Sequence, residues 1–322
     1  MIKNILITGG AGYIGSHISE LLIKNKKKVI IIDNLTTGFK RLINKKAKFY
    51  NVNILNRKKI RSIITKNKID SVIHLAGSLI IAEGEKFPKK YYKNNVIGSE
   101  QIILSCISST VKNFIFSSTA AVYKDGLYKV TEKSKVKPKS IYGKTKLKAE
   151  KIIIKHCKKN KINFGVLRYF NIVGSSPSGK LGLINKGDHL FKNYSMQVFK
   201  KRPIFKIYGT DYSTKDGSCI RDFIHVSDIA DIHLKVLEKI NKLKKSKILN
   251  CGYSKGISVK QVAKEFSKYT KNAKIISAPK RKGDLIKIIA LTKNLRNFIK
   301  WKPKYNKLQT MVKSSINWEK KL

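Results

Sequence analysis

"KNILITGGAGYIGSH", residues 3–17, runs from an apolar stretch through a cluster of glycines into residues of helical period. Gly10, Gly12 and Gly15 spell G-x-G-x-x-G, and Gly9, Gly12 and Gly15 also spell G-x-x-G-x-x-G. Glycine lets a backbone turn sharply and lie close against a diphosphate. A helix opening at that point offers unpaired N–H groups and its positive end to the anion. Between a strand and a helix, first in the chain, the pattern reads as a dinucleotide-binding turn. Gly9, Gly12, Tyr13, Ile14 and Gly15 are its expected cradle.

The next apolar run, "VIIID" (29–33), ends at Asp33, roughly 20 residues further on, with Asn34 behind it. A carboxylate there accepts hydrogen bonds from a ribose 2′-hydroxyl and repels a 2′-phosphate, which favours NAD over NADP. The alternative is a surface Asp that caps a turn. Further out, "AKFYNV" (47–52), "SVIHLA" (71–76), "KNFIFSS" (112–118) and "INFGVLRY" (162–169) read as buried strands. Stretches of helical period separate them at 13–24, 57–66, 91–108 and 141–159. This alternation predicts a Rossmann-like, doubly wound parallel α/β sheet. After residue 171 the rhythm changes: "NIVGSSPSGKLGLINKGD" reads as loop, 247–253 as a strand and 258–270 as a helix. Residues 1–171, with a returning segment near 218–250, are expected to bind the dinucleotide. Residues 172–322 are expected to form mainly a smaller α/β substrate-binding lobe.

Composition bears on partners. Of 322 residues, 42% are apolar, which suits a globular core, while the net charge is +51. The excess is lysine spread along the whole chain, with arginine confined to Arg41, Arg57, Arg61, Arg168, Arg202, Arg221, Arg281 and Arg296. A nucleic-acid surface would use more guanidinium, gathered in a stripe. The charge is therefore read as a solvated coat, with no nucleic-acid partner. Cys106, Cys157, Cys219 and Cys251 form no C-x-x-C pair, and the six histidines form no ligand cluster, so no metal is expected. The chain opens directly into a strand and has no apolar run of the ~20 residues that span a bilayer. A cytoplasmic protein without membrane contact is the expectation.

"SIYGKTKLKAEK", residues 140–151, sets Tyr142 and Lys146 four apart, on one face of a helix. Lysine is so common here that chance alone would give about two or three such pairs. Their setting is what gives the pair meaning. "FSSTAAVY" (116–123) ends the fifth strand, at the ligand edge of a parallel sheet, and supplies Thr119. A hydroxyl, a phenol and an ammonium beside a nicotinamide make a proton-handling set. The ammonium and the nicotinamide charge would both pull a phenol from its ordinary pKa near ~10 toward neutrality.

"TGGAGYIGSH", "DN" at 33–34, "HLAG" at 74–77, "YYKNNVIGS" at 91–99, "FSSTAAVY", "YGKTK", "LRYFNIVG" at 167–174, "RDFIHVSDIA" at 221–230 and "KRKGD" at 280–284 resemble the extended short-chain dehydrogenase/reductase family. Within it they are similar to the UDP-hexose 4-epimerases. The resemblance runs from residue 3 to about residue 305. It implies Thr119, Tyr142 and Lys146 as catalytic residues, with Lys146 also holding the nicotinamide ribose. Asn53, Ile54, Leu75, Ala76, Gly77, Asn95, Ser117 and Tyr169 join the cofactor set. Asn171, His189, Leu190, Arg221, Arg281 and Asp284 join Thr119 at the sugar nucleotide, although a structural role suits His189 better. The arginines would grip the diphosphate, as guanidinium forks do, unless Arg221 merely pairs with Asp222.

Sugar-nucleotide 4,6-dehydratases typically carry Asp-Glu after the catalytic Thr; Ala120-Ala121 here favours epimerisation. The implied reaction is interconversion of UDP-glucose and UDP-galactose through a 4-keto sugar, by a homodimer. Leu79 falls where many relatives have a lysine, Asn53 where an Asp is common, and Ile288 where a larger or smaller residue limits sugar size. Another UDP-sugar (UDP-GlcNAc, a UDP-uronate or a UDP-pentose) and a non-catalytic NAD-binding regulator are the competing readings.

Overall fold

The computed structural model describes residues 2–185, 187, 189–281 and 285–322. Its first half runs β1 (Asn4–Thr8), α1 (Tyr13–Lys24), β2 (Lys28–Asp33), β3 (Lys48–Asn51), α2 (Arg57–Lys66) and β4 (Ser71–His74). It continues with α3 (Ile81–Lys86), α4 (Pro88–Tyr91), α5 (Gly98–Cys106), β5 (Asn113–Thr119), β6 (Lys129–Val130), α6 (Ile141–Lys159) and β7 (Asn163–Tyr169). The second half runs β8 (Asn171–Val173), α7 (Leu190–Val198), β9 (Ile204–Tyr208), β10 (Ile220–His225), α8 (Val226–Leu243) and β11 (Lys247–Cys251). It closes with β12 (Gly256–Ser258), α9 (Val259–Ser267), β13 (Lys274–Ala278), β14 (Lys287–Ala290), α10 (Lys293–Ile299) and α11 (Leu308–Glu319).

Seven strands form one sheet in the order β11-β7-β5-β4-β1-β2-β3. Every neighbouring pair in it is parallel. Val/Ile-rich strands suit this arrangement because both faces are covered. Ile5, Ile7, Ile31, Ile73, Ile115 and Leu167 pack on one side with α1 and α8. Their neighbours Leu6, Ile30, Ile32, Val72, Phe114 and Val166 pack on the other with α2, α5 and α6. Side chains alternate along a strand, so each strand feeds both layers. The strand order reverses between β1 and β4, and an open sheet of this kind holds its ligand in the crevice above that point.

A second sheet, β12-β10-β14-β6 with β8 also on β10, and a small pair, β13-β9, come mostly from the second half of the chain. The predicted helix over 91–108 is broken: Tyr92–Ile97 is a π-helical turn between α4 and α5. Among the described residues, no helix is long and apolar enough to cross a membrane.

A buried ion pair ties α6 to β7. Arg168 donates from Nε to Glu150 Oε1 (3.1 Å) and from Nη2 to Oε2 (2.9 Å). Its third nitrogen, Nη1, donates to the Tyr123 hydroxyl (3.1 Å), and the Ser118 hydroxyl donates to Glu150. Both charges are almost wholly inaccessible, at 5% and 2% side-chain exposure. Removing one partner strands the other without water, so Arg168→Ala should cost about 3–5 kcal/mol in denaturant unfolding; a loss under ~1 kcal/mol would contradict the pairing.

Buried histidines give a second test. Burial pulls His74 and His225 down to about 3, and His17 and His233 to about 4, from an ordinary 6.5. Between about 4 and 6.5 the unfolded chain therefore binds more protons than the folded one, and stability is lost as pH falls through that window. Asp222, raised by burial to about 6, and Asp33 and Asp228, also raised by burial, oppose this trend but are outnumbered by the histidines. The thermal midpoint should be lower at pH 5 than at pH 7, and an equal or higher value would contradict it.

Candidate active site

The glycine turn is built by exclusion of side chains. Gly9 has φ +73°, and a Cβ there would lie 2.8 Å from the Ala76 nitrogen at the end of β4. A Cβ on Gly15 would lie 2.3 Å from the Gly9 carbonyl oxygen. Gly12 is the N-cap of α1, which has no side-chain cap and no acid in its first turn. A Cβ on Gly12 would meet only the Gly9 oxygen, at 3.2 Å. The first-turn N–H groups of α1 have no acceptor within the helix, so this cradle fits a diphosphate. The Tyr13 hydroxyl donates to the Gly174 carbonyl (2.5 Å), and Asn185 Nδ2 to the Thr37 carbonyl (3.0 Å). Those two bonds tie the turn and the loop after β2 to the segment after β8.

Asp33, at the carboxyl end of β2, is 8% exposed, and burial raises its pKa. Its carboxylate accepts from Ala11 N (3.0 Å) and Leu35 N (2.8 Å). It thus caps a turn while anchoring the glycine loop. Asn34 and Asn53 are exposed, and each accepts from the backbone two residues on, at Thr36 N and Leu55 N. Ile54 lies in the core against Gly98.

After β4, Leu75 and Ala76 donate their N–H groups to Thr8 Oγ1 (3.3 Å each), and Gly77 follows. Asn95 sits in the π-helical turn, a widened geometry common at functional sites. Its Oδ1 accepts from Ser78 N (2.7 Å), and its Nδ2 donates to Ser78 O (3.1 Å) and Thr145 Oγ1 (3.2 Å). The amide therefore fixes the segment beyond β4 to α6, next to Lys146.

Thr119, the last residue of β5, lies beside the Tyr142 phenol, and its Oγ1 accepts from Ala121 N (3.1 Å). Tyr142 lies in the first turn of α6, behind the Ser140 N-cap that accepts from Gly143 N (3.1 Å). Glu85 accepts from Ile141 N (2.8 Å) at the same helix end. Lys146, one turn on, is 3% exposed, with Nζ 4.4 Å from the Phe116 ring centre. His74 stacks on Phe116, its centroid 5.7 Å away.

The electrostatics depart from the sequence expectation. In the protein alone, burial pushes Tyr142 up to about 12, with only the Thr119 hydrogen bond acting downward. Burial also pulls Lys146 down to about 7, against Glu150 acting upward. Desolvation outweighs the ammonium because Lys146 is enclosed and the Tyr142 phenol is packed among protein groups. Tyr169, at the end of β7, donates to His233 Nε2 (2.7 Å). The other ring nitrogen of His233 faces the Ile229 carbonyl (2.8 Å) and must carry the proton.

Three residues expected at the sugar nucleotide share the second sheet region. Asn171 lies on β8 and Arg221 on β10, with Arg221 opposite Ile288 of β14. Asp222 spends its carboxylate on the N–H groups of Tyr253 (2.8 Å), Ser254 (2.9 Å) and Ala290 (3.1 Å). The Arg281 guanidinium sits 3.9 Å from the centre of the Tyr208 ring. Asp284 lies outside the described residues. His189 has both ring nitrogens engaged in the fold: Nε2 with the Ile172 carbonyl (2.8 Å), Nδ1 accepting from Lys192 N (3.4 Å). Leu190 follows as the first residue of α7.

Sequence reasoning passed over Ser118, Glu150, Arg168 and His233. One signal was present: Arg168 is an arginine in a chain that otherwise prefers lysine.

The NAD dependent epimerase/dehydratase family matches residues 5–252. A UDP-glucose 4-epimerase of Halalkalibacterium halodurans is 37% identical over 321 residues, covering 98% of this chain and 95% of that protein. A crystal structure of UDP-glucose 4-epimerase superposes with TM-score 0.95 at 33% identity, over 99% of this chain and 98% of that one. The enzyme from Bifidobacterium longum in complex with NAD+ and UDP gives TM-score 0.91 at 30% identity, over 99% and 98%. With the glycine cradle, the buried acid at the end of β2 and Thr119 beside Tyr142 all along the carboxyl edge of one parallel sheet, and with these relatives matched over nearly its whole length, the chain belongs to the NAD dependent epimerase/dehydratase family.

Proposed function

We propose that this chain is a UDP-glucose 4-epimerase, interconverting UDP-glucose and UDP-galactose with NAD. The observation that carries the reading is the placement of Tyr142 in the first turn of α6, beside Thr119 at the end of β5, one helical turn from the buried Lys146 and at the same sheet edge as the glycine turn. Gly9, Gly12, Tyr13, Ile14 and Gly15 would hold the diphosphate of the dinucleotide and Asp33 a ribose, with Leu75, Ala76, Gly77, Asn95 and Ser117 lining the crevice. Bound NAD supplies an acceptor for the hydride at C4 and a positive ring charge that favours the phenolate.

Tyr142 takes the proton of the C4 hydroxyl as that carbon is oxidised, and gives it back after the 4-keto sugar has turned its other face. Thr119 orients the hydroxyl, and Lys146 holds the ribose while its ammonium lowers the phenol. Arg221 and Arg281 grip the diphosphate of the sugar nucleotide; Asn171 and Tyr169 flank the sugar, and Asp284 the uridine ribose. Ala120-Ala121 leaves no acid for elimination of water. Ile288, buried with Val122, Tyr123 and Phe170, bounds the sugar pocket. Residues 1–171 with the returning 218–250 segment would serve the dinucleotide, and the remainder the sugar nucleotide.

A homodimer belongs to the same reading. Leu79, Ile80, Ile81, Phe87, Tyr92 and Ile97 are exposed along one stretch of chain. A groove of about 370 Å³ opens beside it between α4 and α6. Sedimentation should return twice the chain mass, with Tyr92→Glu shifting it to one; a monomeric parent would contradict the dimer.

Tyr142→Phe should lower kcat on UDP-galactose by ~10²–10⁴ while leaving NAD binding within a few-fold. The parent protein mixed with UDP-galactose should show transient absorbance near ~340 nm, which the variant should lack. Full activity in the variant would remove the phenol from the chemistry.

A further inference from the structure

We propose that Glu150, clamped by Arg168 and Ser118, is a positioning residue that holds the Lys146 ammonium in register with Tyr142 and Thr119. The inference rests on the reading of Lys146 as the residue that holds the cofactor ribose. Lys146 and Glu150 are one turn apart on the buried face of α6, at 3% and 2% exposure. Charged groups are rarely enclosed this far unless they are paired.

The clamp joins the three elements that deliver Thr119, Tyr142, Lys146 and Tyr169. Ser118, which donates to Glu150, precedes Thr119 on β5. Arg168, which donates to both Glu150 oxygens, precedes Tyr169 on β7. Phe116, two residues before Ser118, carries the Lys146 ammonium over its ring. A shift of α6 against β5 or β7 would break charged hydrogen bonds that no water can replace. Arg168 is held in turn: its Nη1 meets the Tyr123 hydroxyl, which donates to Asn250 Oδ1 (2.6 Å).

The charges around Lys146 point the same way. His74 of β4 lies across Phe116, and burial keeps it neutral. Tyr142 shares the helix, and Tyr169 and Arg168 are on β7. Other carboxylates on the helices around α6 are engaged elsewhere or partly exposed: Glu83 with Lys90 and Tyr91, Glu85 with Ile141 N, and Glu100 on α5. Glu150 is the carboxylate that opposes the loss of charge burial imposes on Lys146.

The test compares the parent with Glu150→Gln and with the double variant Glu150→Gln/Arg168→Met, which removes the guanidinium that the single variant would strand and should fold. Two readouts are taken from pH 6 to 9: NADH affinity of the cofactor-stripped protein by fluorescence titration, and kcat on UDP-galactose. Glu150→Gln should weaken NADH binding about tenfold above pH 7 and move the basic limb of the kcat profile about one unit toward acid, as loss of a charge partner requires. The double variant should keep both defects. Parental NADH affinity and an unshifted profile in the folded double variant would overturn the proposal, leaving the pair with the fold alone. NADH titration does not depend on the sugar. A parent that ignores UDP-galactose while Glu150→Gln still loses NADH affinity would therefore sink the epimerase reading and leave this one standing.

Discussion

The crevice over the parallel sheet depends on two positions where no side chain can exist. At Gly9 and Gly15 a single added carbon would lie within 3 Å of backbone: Ala76 in one case, the turn itself in the other. Because that space is vacant, β1 can hand over to α1 within a few residues and bring the start of the helix against the end of β4. Everything used at the site then follows from strand geometry. Asp33, Gly77, Thr119 and Tyr169 stand at or just past the carboxyl ends of β2, β4, β5 and β7, because a parallel sheet presents all those ends along one edge.

Enclosure is the second governing condition. It puts Lys146, Glu150, Arg168 and His74 where water cannot screen them, with Tyr142 partly exposed beside them, so pairing and hydrogen bonding set their protonation. In the protein alone this holds the phenol high and the lysine low. A general base needs its phenolate, and the positive charge of a bound nicotinamide acts in that direction. The protein is thus organised so that its base becomes effective with the cofactor in place.

Much of this was readable from residues. The glycine spacing, the acid closing "VIIID" and the strand–helix alternation fixed the sheet, because backbone geometry admits few other residues there. What stayed hidden was of two kinds. The π-helical turn over Tyr92–Ile97 looks like continuous helix in sequence, since one extra residue per turn barely disturbs the apolar period. The Glu150–Arg168 clamp joins residues from two elements, and nothing local marks Glu150 as buried in a helix so rich in lysine. His189 shows the converse: a residue aligned with ligand-binding positions whose ring nitrogens are both taken by the fold.

The central claim is that one enclosed dinucleotide removes hydrogen from C4 of the sugar and returns it to the same carbon, with Tyr142 holding the proton in between. UDP-galactose carrying deuterium at C4, converted by the protein in ordinary water and read by NMR, tests this most directly. The label should be retained at C4 of the UDP-glucose formed. Loss of deuterium to solvent, or its appearance at another carbon, would contradict the account.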